Sequence, residues 1–221
     1  GTSIHNALRA WWDQPLERRD SGSVGDLLKR SWQSEGYRDD TQQVEQRTWA
    51  TEALRLYVDT LDPFTEPIGL ERTVGMRTDR LALSGRVDRI DQGVGDDGVD
   101  EAVVVDYKTG RMPSTVDDAR SSLALAVYAL ATERTLRRRC RRVELHHVPT
   151  GTVAVWRHDE SSLGRHLRRA TEVADDAQDA DEFPPSPGPG CGWCDYRAHC
   201  PEGQAAAPAR QPWDALVDVS R

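Results

Sequence analysis

Residues 92–98 read Gln-Gly-Val-Gly-Asp-Asp-Gly, and this Gly/Asp-dense stretch separates two segments of alternating polarity. Such a stretch favours a turn over a continuing strand, so the flanking segments form a hairpin. With the turn centred near Asp97, residues whose numbers sum to 194 face each other, and Asp88 stands opposite Asp106. Lys108 lies two residues beyond Asp106 and shares its face, because strand side chains alternate. Val103, Val104 and Val105 lead straight into Asp106-Tyr107-Lys108. Charge at the edge of a core is costly unless it is paired or bound to metal. Two neighbouring carboxylates repel one another and make a hard-oxygen site suited to Mg²⁺ or Mn²⁺. An adjacent ammonium orients water and stabilises charge on a phosphate. On spacing alone, a surface ion-pair ladder along the hairpin accounts for the same residues.

Lysine usage bears on that choice. Of 29 Lys and Arg residues only Lys29 and Lys108 are lysine, and lysine alone offers a compact ammonium able to lose a proton. The net charge of −8 argues against coating nucleic acid by bulk positive potential. It leaves room for a local basic groove, and residues 134–142 hold six arginines among nine positions. That run reads first as a solvated helix end and second as a phosphate-contacting surface. At 221 residues and 37% hydrophobic, the chain has the length and apolar content of one domain with a real core. It carries no apolar run of membrane-spanning length and no signal-peptide pattern at its start, so a soluble cytoplasmic protein is expected, without a membrane partner.

Ile4, Leu8, Trp11 and Trp12 recur at helical spacing, with Thr2 or Ser3 as N-cap. A Gly/Ser-rich loop follows. Residues 41–61 read as a second helix with Val44, Trp49, Ala53, Leu54, Tyr57 and Leu61 on one side. Strands are expected over 68–76, 81–91 and 101–107, and one helix over 115–135 with Leu123, Val127, Leu130 and Ala131 buried. A second hairpin spans 143–148 and 152–156, and an acidic amphipathic helix covers 160–180. His146 and His147, adjacent on a strand, point to opposite faces and read as structural. A Pro/Gly-rich segment then delivers the chain to Cys191, Cys194 and Cys200. The order defines a mixed α/β domain over 1–203, with a helical part (1–65), a sheet-and-helix part (66–182) and a cysteine knuckle (190–201), followed by a loose tail over 204–221.

The strand Gly85-Arg86-Val87-Asp88-Arg89-Ile90-Asp91 and the later Asp106-Tyr107-Lys108-Thr109-Gly110 resemble motifs II and III of the PD-(D/E)XK nucleases, most closely the RecB-like family. Gly1-Thr2-Ser3-Ile4-His5 resembles that family's G-T-x-x-H helix. Residues 123–129 resemble the helix after its active site. Cys191 to Pro201 resembles the C-x2-C-x5-C-P segment that holds a 4Fe-4S cluster in AddB-type nucleases. The resemblance implies a restriction-endonuclease-like mixed sheet flanked by helices, with a C-terminal Fe-S knuckle. It implies that His5, Asp88, Asp106 and the Tyr107 carbonyl bind the divalent metal and that Lys108, with Asp88 and Asp106, is catalytic. Arg89 and Asp91 would brace the site as an ion pair. The family's glutamine, four residues before its tyrosine, is replaced by Ala124 ahead of Tyr128.

A 4Fe-4S cluster takes four thiolates, and the family's first cysteine lies upstream of the G-T-x-x-H helix. The expected fourth ligand is therefore upstream of this chain, with Cys140 as the alternative and a plain structural thiol as the leading reading for Cys140. Three thiolates with His199 would otherwise suit zinc. Trp193 and Tyr196 are expected to pack around the cluster. The implied activity is exonuclease-like DNA hydrolysis in repair or recombination, on a single strand or an end. The resemblance also implies a helicase partner, and since the chain shows no G-x-x-x-x-G-K-[ST] phosphate loop, any ATP-driven motor is expected on another chain or a missing part. Two other classes fit the residues: a weakly active or non-catalytic DNA-binding scaffold, and a phosphodiesterase with another substrate.

Overall fold

A computed structural model describes residues 1–216. Helix α1 (Thr2–Trp12) and helix α2 (Ser21–Ser31) precede the long helix α3 (Asp40–Val58). Then come β1 (Gly69–Arg77), β2 (Ala82–Val94) and β3 (Asp100–Lys108), helices α4 (Val116–Ser121) and α5 (Leu123–Leu136), β4 (Arg142–His147), β5 (Thr152–Arg157), and helices α6 (Glu160–Asp179) and α7 (Pro201–Ala206). Among the described residues no helix is long and apolar enough to cross a membrane. The chain divides into two compact units, residues 1–33 with 50–175, and 34–49 with 176–221.

The first unit is built on one five-stranded sheet in the order β1-β2-β3-β4-β5. All neighbouring pairs are antiparallel except β3 and β4, which run parallel and are joined through α4 and α5, the helical crossover that a parallel pair requires. The β2–β3 ladder holds Arg89 opposite Val105 and Ile90 opposite Val104, the register expected from a turn centred at Asp97. Val104, Val143, Leu145 and Ala154 form a core with Leu125, Ala126 and Ala129 of α5. By alternation, Tyr107 faces the other way, where its hydroxyl meets Trp12 of α1 and its ring meets Tyr57 of α3. Helices thus cover both faces of the sheet. Gly85 belongs to this packing, since a Cβ there would overlap the Tyr128 ring of α5. Gly85→Ala is expected to cost about 1–3 kcal/mol, the usual range for overpacking, read as a lowered melting temperature. Trimming the ring as well, in Gly85→Ala with Tyr128→Ala, should recover part of that loss by removing the clash.

Several elements depart from the sequence expectation. The loop after α1 contains α2, whose Asp20 side chain accepts from the Ser23 amide and whose Val24 and Leu28 are fully buried. The cap and the i, i+4 apolar pair outweigh its Gly/Ser content. The expected helix over 115–135 is two helices, because Ser122 leaves helical geometry and caps α5 while Thr115 caps α4. Thr2 and Ser3 lie inside α1 and do not cap it; the Ser3 hydroxyl accepts from the Gln33 amide. Val44 is exposed, and the apolar residues that α3 buries are Ala50, Ala53, Leu54, Tyr57 and Val58. On α5 Ala131 is buried as expected, together with Leu125, Ala126, Ala129 and Thr132, whereas Leu123, Val127 and Leu130 are only half-buried.

In the second unit, the segment expected as a loose tail is ordered up to the last described residue. Arg197 donates to the Ala207 carbonyl, Gln204 to the Arg197 and Ala198 carbonyls, and the Arg210 amide to the Gly192 carbonyl. The remainder of the expected tail, 217–221, lies outside the described residues.

Candidate metal and catalytic site

His5 reaches the site from the first turn of α1, whose start lies against the end of β3; a Cβ at Gly1 would sit 3.6 Å from Thr109 Oγ1. Asp88 comes from the middle of β2. Its Oδ2 accepts the Tyr107 amide at 2.8 Å, which fixes the carboxylate between the two strands, while Oδ1 stands 3.4 Å from His5 Nδ1. Asp106 is half-buried near the end of β3, and its Oδ2 is 2.6 Å from Lys108 Nζ. The ammonium is nearly half exposed, whereas the carboxylate is largely covered.

One participant was not foreseen. Glu71 of β1 joins His5 and Asp88 in a group whose ligand atoms all lie within 4.8 Å of one another. The β1–β2 ladder pairs Leu70 with Arg89 and Arg72 with Val87, yet skips Glu71 and Asp88 between them. Glu71 has φ of 46°, a left-handed conformation that is uncommon for a residue with a side chain. Strain of this kind gathers at functional sites. Its carboxylate is also 2.8 Å from Arg86. Continuing the register across the β1–β2 hairpin would have placed Glu71 opposite Asp88. Among the described residues no other group of three or more His, Cys, Asp or Glu side chains converges in this way. Asp106 faces Lys108 and is not in that group.

The electrostatics follow from this crowding. Burial works to lower the His5 pKa, but the hydrogen bond and charge of Asp88, reinforced by Glu71 and Asp106, outweigh it and hold the imidazole above its ordinary value. Burial raises the Asp106 carboxyl; Lys108 opposes that, the like charge of Asp88 adds to it, and the net direction is upward. In the metal-free protein, protonated His5 therefore adds stability at low pH that is lost as pH rises through its folded pKa. An NMR titration of His5 is expected to show a lower pKa in Asp88→Asn. An unchanged titration would exclude Asp88 as the cause. Metal binding needs neutral imidazole and ionised carboxylates, so affinity should rise with pH over the same range.

Behind these groups lies a buried polar brace. Arg89 pairs with Asp91 at 2.9 Å and donates to the Tyr107 hydroxyl at 3.1 Å, which also accepts from Trp12 Nε1. Burial works against the Arg89 charge, yet Tyr107 and Asp91 hold it firmly protonated. His146 sits between Glu144 and the Tyr57 hydroxyl, each at 2.7 Å, and His147 links the Gly110 carbonyl to Thr150. Both histidines are fully engaged in structural bonds. Tyr128 packs on Gly85, three residues before Asp88, and Ala124 is exposed.

The second unit contains Cys191, Cys194 and Cys200. The Gly188 N–H donates to Cys191 Sγ at 3.3 Å and the Gly203 N–H to Cys200 Sγ at 3.2 Å. A 4Fe-4S cluster would take four thiolates, and these three thiols do not meet the 4.8 Å convergence of the His5 group. Cys140 is fully buried in the core of the first unit, where burial pushes its thiol up, so it serves as a core thiol. His199 is exposed. Tyr196 is 78% exposed and does not pack as expected; Trp193 is partly exposed with Arg210 over its ring. Half of the arginine run is committed within the fold, with Arg139 bound to Asp97 at 2.6 Å, Arg141 to Glu160 and Arg142 to Glu144, while Arg134 and Arg137 are exposed.

A mixed sheet that brings a histidine, acidic side chains and an Asp-x-Lys strand end to one place has the architecture of a metal-dependent phosphodiester hydrolase. The sequence matches the PD-(D/E)XK nuclease superfamily over residues 1–201, and the chain belongs to that superfamily. No curated protein matches it. Membership implies a metal-dependent nuclease using Mg²⁺ or Mn²⁺, and the donor set of imidazole and carboxylates suits such an ion.

Proposed function

We propose that this chain is a RecB-like, exonuclease-like deoxyribonuclease that acts on a single strand or an end of DNA in repair or recombination, beside a helicase. The observation that carries the hydrolytic reading is the placing of the Asp106–Lys108 pair on the strand next to the one that offers Asp88 to His5 and Glu71. In this reading His5, Glu71, Asp88, Asp106 and the Tyr107 carbonyl hold the divalent ion. An ion bound there would supply charge neutralisation at the scissile phosphate and would polarise water. Lys108 directs its ammonium at the attacking water or the phosphate oxygens, with Asp106 fixing its position. The Tyr107 amide keeps the Asp88 carboxylate turned toward His5. The Arg89 and Trp12 donors clamp the Tyr107 ring, and so the strand end that carries Asp106 and Lys108.

The test is cleavage of end-labelled single- and double-stranded DNA with Mg²⁺ or Mn²⁺, comparing the natural chain with Asp106→Ala and with chelated samples. Metal-independent cleavage at equal rates would refute the proposal. A DNA-binding scaffold is the second reading, favoured by the exposed Ala124 where the resemblance places glutamine. Binding without turnover would select it. For the knuckle we propose a 4Fe-4S cluster held by Cys191, Cys194 and Cys200 with a fourth ligand from elsewhere. Iron and acid-labile sulfide in anaerobically purified protein are expected, and stoichiometric zinc in their place would overturn that assignment.

A further inference from the structure

The first unit has a concavity of about 580 Å³ outside the metal site, between α4, the end of β5 and the start of α6. Its charge sets it apart. Arg120, Arg157, Arg165 and Arg169 line it against one carboxylate, Asp159. Two other concavities are balanced: one sets Arg139, Arg141 and Arg157 against Asp96, Asp97, Asp159 and Glu160, and another sets Arg18 and Arg30 against Glu17, Asp20 and Asp26. A cationic excess in a chain of net charge −8 is a local departure from the background.

The state of these arginines differs. Arg157 is committed, since both of its terminal nitrogens bind the buried Glu101 carboxylate. Arg120 and Arg169 are held by Asp117 and Glu172 in exposed pairs three residues apart, of a kind worth little in water, and Arg165 donates to the Ser161 hydroxyl. The lone carboxylate is occupied too, because Asp159 accepts the Ser162 amide at the start of α6. Three guanidinium groups are thus available to exchange weak partners for a stronger anion. Arg120 also lies over the Trp156 ring, at 5.8 Å from its centroid.

The location connects the concavity to the metal site. Lys108 shares a sheet face with Val104, by alternation, and Trp156 packs on the core that contains Val104. Lys108 pairs with His147 and His147 with Thr152, so Trp156 is two strands across and four residues along. Strand geometry makes that roughly 16 Å in a straight line across the packed core, so a strand running over the surface spans at least about five phosphates between the two places.

We propose that this concavity is a second contact for the DNA strand, a phosphate-binding site in which Arg120, Arg165 and Arg169 grip the backbone away from the metal. The proposal rests on the nuclease reading for its ligand, because a lone phosphate or free nucleotide carries the same chemistry. The experiment measures binding of a labelled single strand of about 20 nucleotides in EDTA across a salt series, with inorganic phosphate and deoxyadenosine monophosphate as competitors. Compared are the natural chain, Arg165→Gln with Arg169→Gln, and the charge-matched Arg18→Gln with Arg30→Gln.

Losing two phosphate contacts should weaken binding about tenfold near 0.1 M salt and make the slope of log K against log salt shallower by about 1.4. The charge-matched control should keep the natural slope. An unchanged slope in the Arg165/Arg169 variant, or an equal loss in the control, overturns the proposal. Displacement of the strand by micromolar mononucleotide or phosphate overturns it in favour of a small-molecule site. Cleavage by the natural chain with Mn²⁺ is measured alongside. A chain that cleaves while its slope ignores the concavity refutes this inference alone. One that binds through the concavity without cleaving refutes the nuclease reading alone.

Discussion

Lys108→Ala is expected to lower DNA cleavage by about 10²–10⁴-fold, the range associated with removing one positioned proton-transfer or charge-stabilising group. The side chain is nearly half exposed and touches Asp106 at the strand end, so its loss opens no cavity in the core. The melting temperature should stay within a few degrees of the natural value. Metal binding should persist, because the lysine is none of the proposed ligands, although Asp106 loses the ammonium that opposes its upward shift. This combination separates a catalytic ammonium from a structural one: kcat collapses while folding and metal binding persist. Lys108→Arg should rescue poorly, since a planar guanidinium neither loses a proton readily nor matches a compact ammonium. Full activity in Lys108→Arg would show that only the positive charge matters. Full activity in Lys108→Ala would remove the residue from the mechanism.

Arg157→Ala is expected to give the largest loss of stability, about 3 kcal/mol or more. Glu101 is fully buried, and Arg157 meets both of its oxygens at 2.6 and 2.9 Å. Arg139 stands farther off, at 3.7 Å, and its guanidinium is already bound to Asp97. Removing Arg157 leaves a buried carboxylate with a distant partner, the situation in which a broken buried pair costs about 3–5 kcal/mol. In a chain of this size the melting temperature should fall by roughly 6–12 °C. Adding Glu101→Gln should restore much of the loss, because a neutral amide is cheaper to bury than an unpaired charge. No recovery in the double variant would show that the packing of the arginine stem, and not its charge, holds the end of β5.

The β2–β3 hairpin was legible in the sequence because two local signals agree there: a Gly/Asp turn that fixes the centre and an alternating pattern that fixes the faces. That register brings Asp88 beside the end of β3, and the scarcity of lysine singles out Lys108. Glu71 was hidden because its role depends on a second hairpin and on an interruption of the ladder that no local pattern announces. Helix α2 was hidden by composition, since Ser21, Gly22, Ser23 and Gly25 suggest a loop while the decisive signals are one cap and the two buried side chains Val24 and Leu28. The break at Ser122 was masked by continuous helical propensity on either side. The arginine run misled for a different reason. Asp97 in the β2–β3 turn and Glu160 on α6 lie far from it along the chain, and only folding shows that Arg139 and Arg141 are already paired, while Arg142 pairs with Glu144 of its own strand.

The left-handed backbone at Glu71 also separates two demands on one position. Stability alone would favour glycine there, because only glycine adopts that conformation without steric cost. A carboxylate beside His5 and Asp88 requires a side chain. Foldability and chemistry therefore disagree at this residue, and the present sequence resolves the disagreement in favour of chemistry.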